Sequence, residues 1–214
     1  MASRVICISQ TTGAGGESVG RLVAERLGLR YVDEEIVARA AEREQLEPEL
    51  VADTEKRKSL LARYLEEFGE SAGLDQAYAY GALAAPFVAE GTVKRGSEGI
   101  RALIREAVRE TADEGDVVIV SHAASLALGG RDGVLRVLVT ASGETRARRV
   151  GEAAGLDERQ AARIVKDADA ARADYLKRFY RIERELPTHY DLVVNTDVLG
   201  EEQAASLVVH AAGS

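Results

Sequence analysis

Apolar and polar positions follow two rhythms along this chain, and the switches between them lay out an alternating series of strands and helices. Residues 4–9 form a short apolar run, followed by a glycine-rich turn and then by Ser18-Val19-x-x-Leu22-Val23-x-x-x-Leu27, which repeats with the helical period. Gly28 stands where a left-handed C-cap would end that helix. Leu29-Arg-Tyr-Val-Asp33 predicts a second strand, and Asp33-Glu34-Glu35 opens a helix from Ile36 to about Arg43. The β-branched runs at 116–121 and 134–140 predict strands buried on both faces of a parallel sheet, and 191–195 predicts a fifth strand. Helices are expected at about 143–153, 157–183 and 200–211. Between about 47 and 114 no strand pattern appears, only helical stretches broken by Pro48, Gly69 to Gly73, Pro86 and Gly91 to Gly96.

Five strands separated by helices, with a glycine turn after the first, predict a three-layer, doubly wound α/β fold whose ligands sit beyond the carboxyl ends of the strands. The 214 residues fit a single domain, with a core at about 1–46 and 115–214 and a helical insertion at about 47–114. A net charge of −8 without a basic tail argues against nucleic acid or an anionic membrane as partner and favours a small ligand. The single cysteine, Cys7, lies in the first strand, which excludes a disulfide framework and assigns it to the core. No apolar run approaches a membrane span and the chain enters its first strand without a signal-peptide pattern, so a cytoplasmic protein is expected. The insertion carries Tyr64, Phe68, Tyr78, Tyr80 and Phe87, and any of these not used in the core would suit a homodimer contact.

The chemistry is concentrated first in Gly13-Ala14-Gly15-Gly16-Glu17-Ser18. Glycines let the backbone take positive φ and turn its N–H groups toward an anion, and the following helix points its positive end at the same place. Residues 13–18 would then bind phosphates, with the Ser18 hydroxyl on a phosphate-bound magnesium. In the P-loop spacing G-x-x-x-x-G-K-[ST], a register that places Ser18 at the metal hydroxyl leaves Glu17 or Gly16 where lysine belongs. The alternative is a plain β-turn-α connection that uses glycine for close strand-to-helix contact.

Other candidates fall at the same edge of the sheet. Asp33 would accept hydrogen bonds from a sugar or base or order a magnesium water, or else cap the next helix. His122, after the third strand, would donate to a phosphate, or is incidental. Arg146 and Arg149 share a helix face by their i, i+3 spacing, as do Asp169 and Arg172 farther on. These charges form either a solvated, ion-paired helix or a lid over 157–183 that folds guanidinium groups onto phosphates. Asn195, with Thr196 beside it, would read a base edge through its amide, or form an Asx turn before the last helix.

Together these segments resemble the cytidylate kinase-like family, a divergent branch of the P-loop nucleoside monophosphate kinases. The resemblance is carried by the glycine loop, Tyr31-Val-Asp33, Asp116-Val-Val-Ile-Val, residues 140–149, Asp169-x-x-Arg172-x-x-Tyr175 and Tyr190-Asp191-Leu-Val-Val-Asn195-Thr196. It implies a P-loop fold with a helical insertion that binds the nucleoside monophosphate, an arginine-bearing lid, and ATP with Mg²⁺. Matching by the glycines sets Gly16 at the lysine and Ser18 at the threonine of true cytidylate kinases. This branch commonly lacks that lysine, carrying an arginine just before the loop and another in a Gly-Arg-Gly turn after the third strand. Gln10 and His122 occupy those places. Two readings follow: a phosphotransferase in which Arg146, Arg149 and Arg172 supply the missing charge, or a catalytically silent nucleotide-binding regulator. One well-placed arginine contributes roughly 10³–10⁵ in rate, so these cations decide between the two.

Overall fold

The computed structural model describes residues 5–33, 35–42, 97–121 and 123–213. The sequence-predicted helices between 47 and 96, with the five aromatic residues considered for a dimer contact, lie outside the described residues, as does His122. The described residues form five parallel strands: β1 Val5–Gln10, β2 Arg30–Val32, β3 Val117–Val120, β4 Val134–Thr140 and β5 Leu192–Asn195. Each lies within two residues of its sequence-predicted bounds. Their order across the sheet is β2-β3-β1-β4-β5, so the central β1 pairs with β3 on one side and β4 on the other. The chain runs out to β2 before returning beside β1, and that reversal opens a crevice at the carboxyl end of β1.

The sheet is apolar on both faces because its strands alternate between two cores. Val5, Cys7, Val117 and Ile119 pack under α2 (Glu35–Glu42) and α3 (Ser97–Asp113), while Ile6, Ile8, Val118, Val120, Val137 and Val139 pack under α1 (Gly16–Leu27) and a C-terminal helix at Glu201–Ala212. Burial pushes the Cys7 thiol up to about 12, so at neutral pH it is an unreactive core group. The sequence pattern puts the core boundary at about 115, but the sheet-covering layer already begins at 97. Ile100, Leu103, Ile104, Ala107 and Val108 of α3 lie in the same core as β1 and β3. The helical period alone cannot distinguish a helix laid on a sheet from one in an insertion.

A short α4 (Ala124–Ala127) follows β3, and α5 (Gly143–Ala154) follows β4. The long α6 (Glu158–Tyr180) starts from a capping box in which Asp157 accepts from the Gln160 amide at 2.8 Å and Gln160 Oε1 accepts from the Asp157 amide at 3.1 Å. It folds back on α5 around Ala147, Ala161 and Val165. The C-terminal helix, α7, completes the layer over α1. Among the described residues no helix is long and apolar enough to cross a membrane.

The placement of α3 gives a direct test. Ile104 is 2 % exposed between α3 and the sheet. Ile104→Ala is expected to destabilise the fold by about 2–5 kcal/mol in urea unfolding, the loss that accompanies a buried large-to-small change. A loss under about 1 kcal/mol would place α3 outside the core.

Candidate functional site

The loop between β1 and α1 is shaped by three glycines with different steric reasons. Gly13 and Gly15 hold φ of 82° and 80°, the left-handed region that side chains avoid. A Cβ on Gly13 would stand 2.7 Å from the carbonyl oxygen of Arg146, so α5 presses directly on the loop. Gly16 has no positive φ, but a Cβ there would stand 2.6 Å from Cβ of Gln10. Gln10 fills the space beside Gly16, and its Nε2 donates to Glu17 Oε1 at 3.1 Å. The position that matches the P-loop lysine is therefore sterically closed as well as chemically changed. The Val19 amide closes the first helical turn onto Gly15 O at 3.1 Å, leaving the amides ahead of it without helical partners. Ser18 sits partly buried in that first turn.

Two of the three arginines of α5 reach the loop, while Arg148 pairs with Glu152 on the exposed face. Arg146, only 7 % exposed, donates from Nε to Ala141 O at 3.1 Å and from Nη1 to Thr12 O at 3.4 Å. Its fork also takes Asp169 of α6 bidentately, at 2.8 and 2.7 Å. Arg149 donates to Thr196 Oγ1 at 2.9 Å and Thr196 O at 2.6 Å, with long contacts of 3.5 and 3.4 Å to Gly13 O and Ala14 O. Thr196, 1 % exposed, donates its own hydroxyl to Ala14 O at 2.9 Å. Arg146 and Arg149 share one helix face, as their spacing predicts, but serve different neighbours.

Arg172 of α6 is partnered too. Its Nε and Nη2 donate to Glu185 at 2.9 and 2.6 Å, and Nη2 also reaches the Tyr190 hydroxyl at 3.3 Å. The Tyr190 hydroxyl in turn donates to Glu185. Burial opposes the charges of both pair members, but the hydrogen bond and mutual attraction win: Arg172 is raised and the Glu185 carboxyl lowered. Tyr190 is pushed up to about 12, chiefly by burial. Thr11, Arg146, Asp169, Arg172 and Glu185 line one cleft of about 290 Å³. Other charges of α6, such as Arg163 with Asp167 and Arg178 with Asp174, form exposed i, i+4 pairs. The cleft-facing charges Asp169 and Arg172 are thus paired to other elements, and the outer charges are paired within the helix.

Asp33 and Asn195 are not among the residues that line this cleft. Asp33 follows β2, and its carboxylate is 3.5 Å from the Tyr31 hydroxyl. Asn195 Oδ1 accepts from the Asp197 amide at 2.8 Å, which is the Asx-turn arrangement. Asp197 accepts from the amide and hydroxyl of Ser142 at 2.8 and 2.9 Å, tying the exit of β5 to the N-cap of α5. Ser121 and Ala123, either side of His122, hold φ of 72° and 49°, so the turn after β3 keeps a backbone better suited to glycine. Sequence reasoning missed Thr11 and Glu185 and gave Tyr190 no role. Only Tyr190 carried a signal, through its place in the family motif; Glu185 lies in an ordinary charged stretch and is joined to Arg172 by the turn after α6.

A parallel sheet of this order with a glycine loop leaving its central strand defines the class: a P-loop kinase-type α/β protein. Within that class, the model of the cytidylate kinase-like family matches residues 5–198, and the chain belongs to that family. A curated cytidylate kinase of Methanopyrus kandleri is 31% identical over 108 residues, which is 47% of this chain and 56% of that protein, so the match spans about half the length of the relative. Among solved structures, an uncharacterized protein from Eubacterium ventriosum superposes with a TM-score of 0.66 at 16% identity, covering 99% of both chains. Shikimate kinase from Bacteroides thetaiotaomicron superposes with a TM-score of 0.54 at 17% identity over the full length of both. At these identities the two structures speak for the fold alone.

The Arg172–Glu185 pair has a pH signature. Because the folded Glu185 value is lowered, its contribution to stability is fully present above the ordinary glutamate value of 4.5 and is lost as pH falls through the folded value. At pH 7 Glu185→Gln is expected to lower Tm by about 2–4 °C, the shift that ~1 kcal/mol gives in a domain of this size. The gap from wild type should narrow as pH falls below 4.5 and close below the lowered folded value. A gap that stays constant from pH 7 to pH 3 in thermal scans would remove the ion pair as its cause.

Proposed function

We propose that this protein is an ATP- and Mg²⁺-dependent phosphotransferase acting on a nucleoside monophosphate, with CMP as the first acceptor to test, in the cytoplasm. The observation that carries the reading is the convergence of Thr11 at the loop with the Arg146–Asp169 and Arg172–Glu185 pairs on one cleft at the carboxyl edge of the sheet. Family membership supports a nucleotide kinase-type reaction, and the relative from Methanopyrus kandleri supports a cytidylate acceptor.

The residues fit phosphates and a metal. The positive-φ glycines and the first turn of α1 present amides at one spot, and Ser18 offers a hydroxyl beside them. Amides of residues 13–18 would hold the donor phosphates and Ser18 the magnesium, whose charge neutralises the transferring group when bound. The Arg172 fork is shaped for a planar pair of oxygens, and it would exchange the Glu185 carboxylate for phosphate oxygens as α6 closes. Arg146, held by Asp169, would keep α6 registered on the loop, and Asp33 and His122 would flank the acceptor. No general base is required when a phosphate oxygen is the nucleophile.

The Gln10–Glu17 pair over Gly16 favours a second reading, a nucleotide-binding regulator without turnover, because it sets a carboxylate where the P-loop lysine would stand. Turnover with ATP across a panel of nucleoside monophosphates and nucleosides separates the two. Tight nucleotide binding with no product from any acceptor would establish the regulator. For the enzyme, Arg172→Ala is expected to lower kcat by roughly 10³-fold while weakening ATP binding far less, because the contact forms mainly in the closed, reacting state. Ser18→Ala should instead weaken binding only when magnesium is present. Unchanged kcat in a folded Arg172→Ala protein would remove α6 from the chemistry.

A further inference from the structure

Every P-loop needs positive charge near the phosphates, and this one has closed the position from which lysine delivers it. The structure shows two guanidinium groups against the loop's carbonyl oxygens. Arg146 reaches Thr12 O, and Arg149 reaches Gly13 O and Ala14 O while holding both oxygens of Thr196. Thr196 adds a 2.9 Å hydrogen bond to the same Ala14 carbonyl, which is fully buried with its residue. The Thr12 and Ala14 carbonyls are thus turned toward α5 and the end of β5, with Gly13 O only at the 3.5 Å limit of contact.

In a trans peptide the carbonyl and the N–H of the next residue point in opposite directions. Holding Thr12 O and Ala14 O against the arginines therefore aims the amides of Gly13 and Gly15 away from them, toward the open side of the loop. Among the described residues those two amides donate to no backbone carbonyl, whereas the Ala14 amide between them is used in a turn to Thr11 O at 3.0 Å. The left-handed φ at Gly13 and Gly15 is the backbone signature of the same alternation. Contact with a cation also polarises each peptide unit, strengthening its N–H as a donor.

We infer that Arg149, with Thr196, is a positioning clamp that orients the loop amides and supplies, from the carbonyl side, the positive charge that a P-loop lysine supplies from the phosphate side. The inference rests on the reading of 13–18 as the donor-phosphate loop and deepens it. It moves Arg149 from the group of arginines that touch phosphate to a group that acts through the backbone. Arg146 shares the arrangement through Thr12 O, but its fork is also committed to Asp169, so Arg149 is the cleaner test.

The test is binding of inorganic tripolyphosphate and ADP, by calorimetry and by the backbone amide resonances of Gly13 and Gly15, to wild type, Arg149→Gln, Arg149→Lys and Thr196→Val, each first shown to unfold cooperatively. Arg149→Gln is expected to weaken tripolyphosphate about tenfold, the effect of losing one charge-assisted interaction, and to reduce the ligand-induced shift of the Gly15 amide. Arg149→Lys, which keeps the charge, should recover most of the affinity. Thr196→Val should give a smaller loss with the same change at Gly15. In turnover, Arg149→Gln should raise KM for the donor more than it lowers kcat, opposite to Arg172→Ala. Wild-type affinity and wild-type Gly15 shifts in Arg149→Gln would overturn the clamp while leaving the phosphate site intact. If Arg149→Gln does not fold, Arg149→Lys that binds no better than a Thr196→Val, Arg149→Lys double variant, with unshifted Gly15, overturns it. Wild type that binds neither probe overturns the phosphate-loop reading and the clamp with it.

Discussion

The closeness of α5 to the loop after β1 is the constraint from which the rest of the site follows. With a Cβ on Gly13 brought within 2.7 Å of the Arg146 carbonyl, only glycine fits there, and only a left-handed backbone carries the chain past the contact. That contact sets Arg146 and Arg149 directly behind the loop carbonyls. It also sends α6, which packs on α5, across the mouth of the crevice beside β1. A Cβ on Gly15 would stand 2.8 Å from Glu201 Oε1 of α7 and one on Gly16 2.6 Å from Gln10 Cβ, so the loop is confined at all three glycines.

Charge at the site is handled by pairing rather than by isolated cations. Arg146 is matched by Asp169 and Arg172 by Glu185, both bidentately, and each pair bridges two elements: α5 to α6, and α6 to the segment that leads into β5. Partly buried guanidinium groups without partners would carry a large desolvation cost, which the chain's own carboxylates offset here. Arg149 differs, being satisfied by carbonyls and a hydroxyl. Its contacts, to the loop carbonyls of Gly13 and Ala14 and to Thr196, include no carboxylate.

Much of the architecture was legible in the chain because parallel strands covered on both faces must be continuously apolar. The runs at 117–120 and 134–140 have little other physical meaning, and the glycine turn announces where β1 ends. Gly28 ends α1 in the left-handed cap expected of it, with Leu29 N donating to Ala24 O at 2.9 Å. The position of α3 was not legible, because its amphipathic period fits a sheet surface and a helical insertion equally. Within the site, the i, i+3 spacing correctly put Arg146 with Arg149 and Asp169 with Arg172. It said nothing of Glu185 or Tyr190, whose proximity to Arg172 depends on how the chain turns after Arg181, itself in a left-handed conformation at φ 57°.

The sequence by itself determined the number and direction of the strands, the loop that must contain glycine, and the helix faces on which arginines gather. These are local matters of side-chain period and backbone freedom, and they hold whatever the chain packs against. Only the tertiary structure decided what each arginine faces. A helix face is some 100° wide and two residues three apart look out from it at different heights, so one turn of α5 separates a guanidinium paired with α6 from one pressed beneath the loop. Which of these neighbours arrives there is fixed by the sheet order and by the close contact at Gly13, and neither can be read along the chain.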